Sequence, residues 1–332
     1  MDRFLIIRLS SLGDIIHALP AFAALRRSYP EAIIRWAVEK KGREILNFVP
    51  GIDDVAVVDK KKWRQSARAI KGRDQVALDL QGLVKSALLA YLSRSRRRLG
   101  FHRANLKEPM ASLFYTEHSS PIPEEETHVI RKNLKLLEIL GIKDTRLEFP
   151  LRIPGEIVQS VQSKLSGIGR QDGQRIAIFN VGAAWATKRW FPEKWIEFIE
   201  MAHLPGSFPL LLWGSEDENR LAQVVAEKTG VRVAPFLSIK EAIALLQIAS
   251  LVVSGDTFAL QAACALDVPV VALFGPTNPR RNGPFRERDK VIYKKQDCSP
   301  CYKHECSDLQ CLQAISAKEV AAAARELWET HD

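Results

Sequence analysis

Asp14 follows closely on an apolar run, Phe4 to Leu9, in the stretch FLIIRLSSLGDIIHALP. The run reads as a buried strand. The residues after it put two hydroxyls (Ser10, Ser11), the flexible Gly13 and one carboxylate at its carboxyl end. Open α/β sheets bind ligands at that edge. A helix is expected to start at about Asp14, where free N–H groups and the helix dipole favour an ionised carboxylate. Such a group can take a proton from a sugar hydroxyl, and it can equally be a helix cap. The local residues leave both readings open.

Polar groups recur at run ends in the second half. Asn180-Val181-Gly182 leads to Thr187-Lys188-Arg189-Trp190. A hydroxyl and two cations suit a phosphate, and they also suit an ordinary exposed loop. Glu216 and Glu218 open a helix after Trp213-Gly214, either to accept hydrogen bonds from a ribose or base or only to complement the dipole. Ser254-Gly255-Asp256-Thr257 ends a further run. The N–H groups of Thr257 and Phe258 form an anion site of the helix-end type, and Asp256 can cap that helix or hold donor hydroxyls. Phe274-Gly275-Pro276-Thr277 closes a fourth run. Four such ends in one half point to a nucleotide-diphosphate pocket.

Short apolar runs alternate with amphipathic stretches along the whole chain, which implies βαβ units and parallel sheets. In the first half, strands are expected at 4–9, 33–38, 55–58 and 75–80. In the second they are expected at 175–181, 209–213, 231–234, 251–254 and 268–274. The rhythm breaks around Pro150, Pro154 and Gly155. The expected organisation is therefore a first Rossmann-like domain at 1–155, a linker region at 156–174 and a second Rossmann-like domain at 175–315. A final helix within 316–332 could pack back on the first half. Two doubly wound domains facing a central cleft suit a transferase, a dehydrogenase or a two-domain binding protein. No G-x-G-x-x-G follows the first strand and there is no Walker A sequence, which weakens dinucleotide and P-loop chemistry.

The 332 residues carry a net charge of +9, and all of it lies in residues 1–150, with 27 Lys and Arg against 18 Asp and Glu. Nucleic acid, an anionic membrane surface or an acidic glycolipid would each fit that excess. Its clusters are Lys60, Lys61, Lys62 and Arg64, then Arg94, Arg96, Arg97 and Arg98. Either cluster alone also reads as a solvated face. No nucleic-acid motif accompanies them. No apolar run approaches the ~20 residues of a membrane span, and no signal-peptide pattern opens the chain, so the expected location is cytoplasmic. Cys298, Cys301, Cys306 and Cys311 follow a C-x2-C-x4-C-x4-C spacing. This fits a structural metal site, zinc before iron–sulfur, and equally disulfides or free thiols.

Taken in order, SSLGDIIHALP, the basic KKKWR segment at 60–64, DLQGLVKSALL, EPMASLFY, TKRW, SGDT, FGPT and the CSPC tail resemble glycosyltransferase family 9. The resemblance runs nearly end to end and is nearest the heptosyltransferase I subgroup. It implies a GT-B fold and an inverting, metal-independent transfer of heptose from ADP-heptose to Kdo of Kdo2-lipid A. Asp14 would be the general base, and Lys188 would neutralise the leaving diphosphate. Thr187, Glu218, Asp256, Thr257, Gly182 and Gly275 would hold the donor. Ser10, Ser11, Gly13, Lys60, Lys61, Lys62, Arg64, Gln81 and Lys85 would meet the acceptor, with peripheral contact to the inner membrane and none to nucleic acid. Two positions depart from the family pattern. Phe258 replaces a glycine and Gln261 a histidine. Those departures motivate two alternatives: a transferase using another sugar nucleotide or acceptor, and a catalytically impaired binding relative.

Overall fold

The computed structural model describes residues 2–59 and 61–330. The chain divides into two compact units, 1–152 and 153–332.

The first unit contains β1 (Arg3–Ile7), α1 (Leu12–Ser28), β2 (Ile33–Glu39), α2 (Lys40–Leu46), β3 (Asp54–Val58), α3 (Trp63–Ile70), β4 (Val76–Asp79), α4 (Val84–Leu92), β5 (Arg97–Gly100), β6 (Glu117–His118) and α5 (Val129–Leu136). Its sheet is all parallel, in the order β3-β2-β1-β4-β5-β6. Helices α1, α2 and α5 pack together, and α3 packs with α4. A parallel sheet covered on both faces needs strands that are apolar on both sides, which is why Phe4 to Ile7 are all buried. The order reverses between β1 and β4, so the loops after these two strands diverge and leave a crevice at the sheet edge.

The second unit contains α6 (Gly155–Gly167), β7 (Arg175–Asn180), α7 (Pro192–Ala202), β8 (Ser207–Leu212), α8 (Glu216–Thr229), β9 (Arg232–Val233), α9 (Ile239–Gln247), β10 (Ala249–Gly255), α10 (Phe258–Ala265), β11 (Val270–Phe274) and β12 (Lys290–Tyr293), and ends in the helix Ala317–Thr330. Its sheet, β12-β11-β10-β7-β8-β9, repeats the first unit's connectivity and is again parallel. Its order reverses between β7 and β10.

Three expected regions take definite form. Arg97 and Arg98 belong to strand β5, and Arg97 forms a two-pronged pair with Glu117 on β6 at 2.7 and 2.8 Å. Most of the region expected as a linker, 156–174, is helix α6, which packs on α9. The final helix packs on α7 of its own unit, because Val320, Ala324, Leu327 and Trp328 complete that unit's core.

Candidate active site

In the first unit the carboxyl edge of the sheet is organised around the β1–α1 loop. Ser11 caps α1, and Asp14 occupies the third helical position. The Ser11 backbone N–H and Oγ donate to Asp14 Oδ2 at 3.1 and 2.9 Å. Arg8 Nη2 pairs with Asp14 Oδ1 at 2.8 Å. Burial pushes the Asp14 carboxyl up, but Arg8, His17 and the Ser11 donors more than offset this and hold it at about 2. The Asp14 side chain keeps 32% of its surface exposed. It is thus an ionised carboxylate that a second molecule can reach. Capping and proton acceptance are compatible at this carboxylate, because both require the charged form.

The loop after β4 braces this one. Gln81 Oε1 accepts from the Leu9 N–H at 2.8 Å. Arg8 donates to the Leu80 carbonyl, and Asp79 Oδ1 accepts from the N–H groups of Gln81 and Gly82. The fully buried Asp79 also accepts from the Tyr115 hydroxyl at 2.8 Å. Burial raises the Asp79 carboxyl, and its hydrogen bonds only partly oppose that. Sequence reading passed over Arg8, Asp79 and Tyr115. Arg8 had a visible signal, a cation inside an otherwise apolar strand.

Ser10, Gly13, Gln81 and Lys85 are half-buried beside Asp14's edge, on the loops and first turns after β1 and β4. Lys61 and Lys62 follow β3 and are exposed. They sit two strand spacings from β1, on the order of 10 Å. Lys60 lies outside the described residues. Arg64 lines a separate groove between α3 and α4.

The second unit gathers its strand ends through hydrogen bonds. Asn180 Nδ2, at the end of β7, donates to the Gly182 carbonyl, to Ser254 Oγ and to Thr257 Oγ1 at 3.0–3.1 Å. Lys188 Nζ pairs with Asp256 Oδ2 at 2.7 Å and lies 4.3 Å from the centre of the Trp185 ring. Thr187 is buried and donates to the Lys303 carbonyl at 2.7 Å. Glu218 Oε2 accepts from the Gly214 N–H at 2.7 Å. Gly182 is small for a reason: a Cβ there would come within 2.3 Å of Glu218. Gly275 is small for packing against Leu312 and Cys311.

The two unusual residues also find places. Thr257 caps α10, and Phe258 opens it with its ring against the unit's core. Gln261 Nε2 donates to the Asn282 carbonyl at 2.8 Å and reaches Asp256 Oδ1 at 3.4 Å. The ring of Phe258 therefore does not cost the helix its N-terminal N–H groups.

The cysteines do not form the expected metal site. All four are free thiols; Cys311 is buried, whereas Cys298 and Cys306 are exposed. Among the described residues no three His, Cys, Asp or Glu side chains converge as a ligand set. Cys311 is committed to the core with Leu312, and Cys306 Sγ accepts from the Leu309 N–H at 3.5 Å.

Two doubly wound parallel units of this kind define the GT-B class of glycosyltransferases. A family model described as glycosyltransferase family 9 (heptosyltransferase) matches residues 63–312. The chain belongs to that family. Lipopolysaccharide heptosyltransferase 1 of Pseudomonas aeruginosa is 30% identical, over 92% of this chain and 87% of that protein. The structure of an E. coli heptosyltransferase, WaaC with ADP, superposes with a TM-score of 0.76 at 26% identity and 99% coverage of both chains. A family 9 glycosyltransferase from Veillonella parvula shares the fold, with a TM-score of 0.84 at 24% identity over 99% of this chain and 97% of that one.

Proposed function

We propose that the protein transfers heptose from ADP-heptose to a Kdo hydroxyl of Kdo2-lipid A, with inversion and without a catalytic metal. The observation that carries this reading is Asp14, an ionised and reachable carboxylate at the switch-point edge of the first sheet. In this reading the first unit takes the acceptor and the second takes the donor. The acceptor oxygen attacks the anomeric carbon and its proton passes to Asp14. The bond from that carbon to the diphosphate oxygen breaks, and the electron pair leaves with ADP. Lys188 and the N–H groups opening α10 take up the charge on the departing diphosphate. Thr187, Glu218, Asp256 and Thr257 position the donor. Gly182 keeps the Glu218 carboxylate close to its loop, and Gly275 shapes the strand end beside it. Ser10, Ser11, Gly13, Gln81, Lys85 and the lysines at 60–62 meet the anionic acceptor, whereas Arg64 faces the separate groove between α3 and α4.

The membership of family 9 and the names of the relatives support heptose as the sugar. A lipid-borne acceptor places the enzyme at the cytoplasmic face of the inner membrane. No helix among the described residues is long and apolar enough to cross a membrane. The test is ADP release and a heptosylated product from ADP-heptose and Kdo2-lipid A in excess chelator. No release under those conditions overturns the proposal. Gln261, tied to Asn282 and Asp256, favours one second reading, in which another sugar nucleotide is the donor. Greater thermal stabilisation by UDP- or GDP-sugars than by ADP-heptose would select it.

A further inference from the structure

A groove of ≈530 Å³ runs along the face of the first unit between α3 and α4. Arg64, Arg68, Lys71, Arg94 and Arg98 line it, and no carboxylate does. Among the described residues none of these five cations is ion-paired. Arg98 is fixed in place. Its Nε donates to the Phe114 carbonyl at 2.8 Å, its Nη1 to the Ser95 carbonyl at 3.0 Å, and its guanidinium lies 5.7 Å from the centre of the Tyr91 ring. Arg94 sits at φ +62°, a left-handed conformation that favours glycine or asparagine. Five cations on one face repel one another, and of them only Arg98 is held by hydrogen bonds to the surrounding backbone among the described residues.

An apolar ridge adjoins the groove. Tyr91 is 55% exposed, Met110 67% and Leu113 76%. The last two lie on the turn Pro109–Phe114, which packs on α4, with the Tyr91 and Phe114 rings 6.0 Å apart. Tyr91 belongs to both features. The groove is also distinct from Asp14's edge. Lys71, Arg94 and Arg98 lie at the amino ends of β4 and β5, and Asp14 lies at the carboxyl edge of the same parallel sheet.

We propose that this face docks on an anionic phospholipid bilayer, with the groove taking phosphate headgroups and the ridge entering the interfacial layer. Cations beside exposed apolar side chains are the chemistry of interfacial binding. A nucleic acid would use the cations but would leave Met110 and Leu113 uncovered. The proposal rests on the lipid-borne acceptor for its setting, and on the groove and ridge for its chemistry.

The test is sedimentation of the full chain with vesicles of phosphatidylcholine alone or of phosphatidylcholine mixed with phosphatidylglycerol. Binding to the mixed vesicles should be at least about tenfold tighter and should weaken as salt rises. Arg68→Glu with Lys71→Glu should lose at least about tenfold on the mixed vesicles. Leu113→Ser should weaken vesicle binding and leave binding to a single-stranded RNA unchanged. All three positions are exposed, so the variants should melt as the native chain does. Equal binding to both vesicle types, or native binding by the double variant, overturns the proposal. So does RNA binding that outcompetes the mixed vesicles. Transfer to a de-acylated, water-soluble acceptor should be unchanged in these variants. Absence of transfer in the native chain would count against the proposed reaction and leave the vesicle result standing.

Discussion

Replacing Asp14 with asparagine separates helix capping from the proposed role as base, because the amide can still accept from Ser11 but cannot take a proton. The structural cost follows from the carboxyl's environment. A drop from 3.8 to about 2 corresponds to roughly 2.5 kcal/mol at about 1.4 kcal/mol per pKa unit. The side chain is 32% exposed, so solvent screening reduces this to about 1 kcal/mol. The folded-state value is depressed, so this stability is present above 3.8 and is lost as pH falls through about 2. The gap in urea midpoint between the native chain and Asp14→Asn should narrow over that window. Turnover should fall far more, by about a hundred- to ten-thousandfold for loss of a general base. Donor affinity, read by calorimetry, should barely move. Turnover within about tenfold of native would refute the base assignment, since a stability loss near 1 kcal/mol leaves the variant folded.

Arg8→Gln removes the 2.8 Å partner of Asp14 and should bring that carboxyl up from about 2 towards 3.8; a carbon-13 titration of Asp14 that does not move would refute the pairing. Gly182→Ala would place a Cβ 2.3 Å from Glu218 and push that side chain off the Gly214 N–H. Affinity for ADP-sugar should drop severalfold, and unchanged affinity by calorimetry would remove Glu218 and Gly182 from the donor site. Tyr115→Phe strips a donor from the buried Asp79 and should cost about 1–3 kcal/mol. The lost donor served the charged form and the Asp79 carboxyl is raised, so the penalty should shrink as pH falls through that raised value. A denaturation series showing an equal penalty at all pH values would refute this.

The alternation of short apolar runs with helical stretches made both sheets legible, because strands buried on two faces carry unbroken apolar sequence. Strand β5 escaped for the opposite reason. Its residues Arg97 and Arg98 read as surface charge until Glu117 and the Phe114 carbonyl supply partners. Asp14 was legible from its place after a strand and at a helix start. Arg8 stood out as a cation in an apolar run, but its pairing with Asp14 did not, since the ion pair depends on how the chain turns at Ser10 and Ser11. The Asp79–Tyr115 bond joins residues 36 positions apart, and no local pattern announces it. The cysteine spacing suggested a ligand set, but one thiol was recruited to the core instead. The final helix showed its apolar stripe and gave no sign of which core would receive it.

The repeated strand order means that each half carries a hydrophobic interior of its own: one cluster around Leu5, Ile7 and Ala77, others around Phe179, Phe198 and Val252. Two such interiors predict calorimetric unfolding in more than one step. Mass action then acts selectively: a ligand held by one half protects the interior of that half. Calorimetry with a sugar nucleotide, then with an acceptor, would assign a substrate to each half without any catalysis taking place.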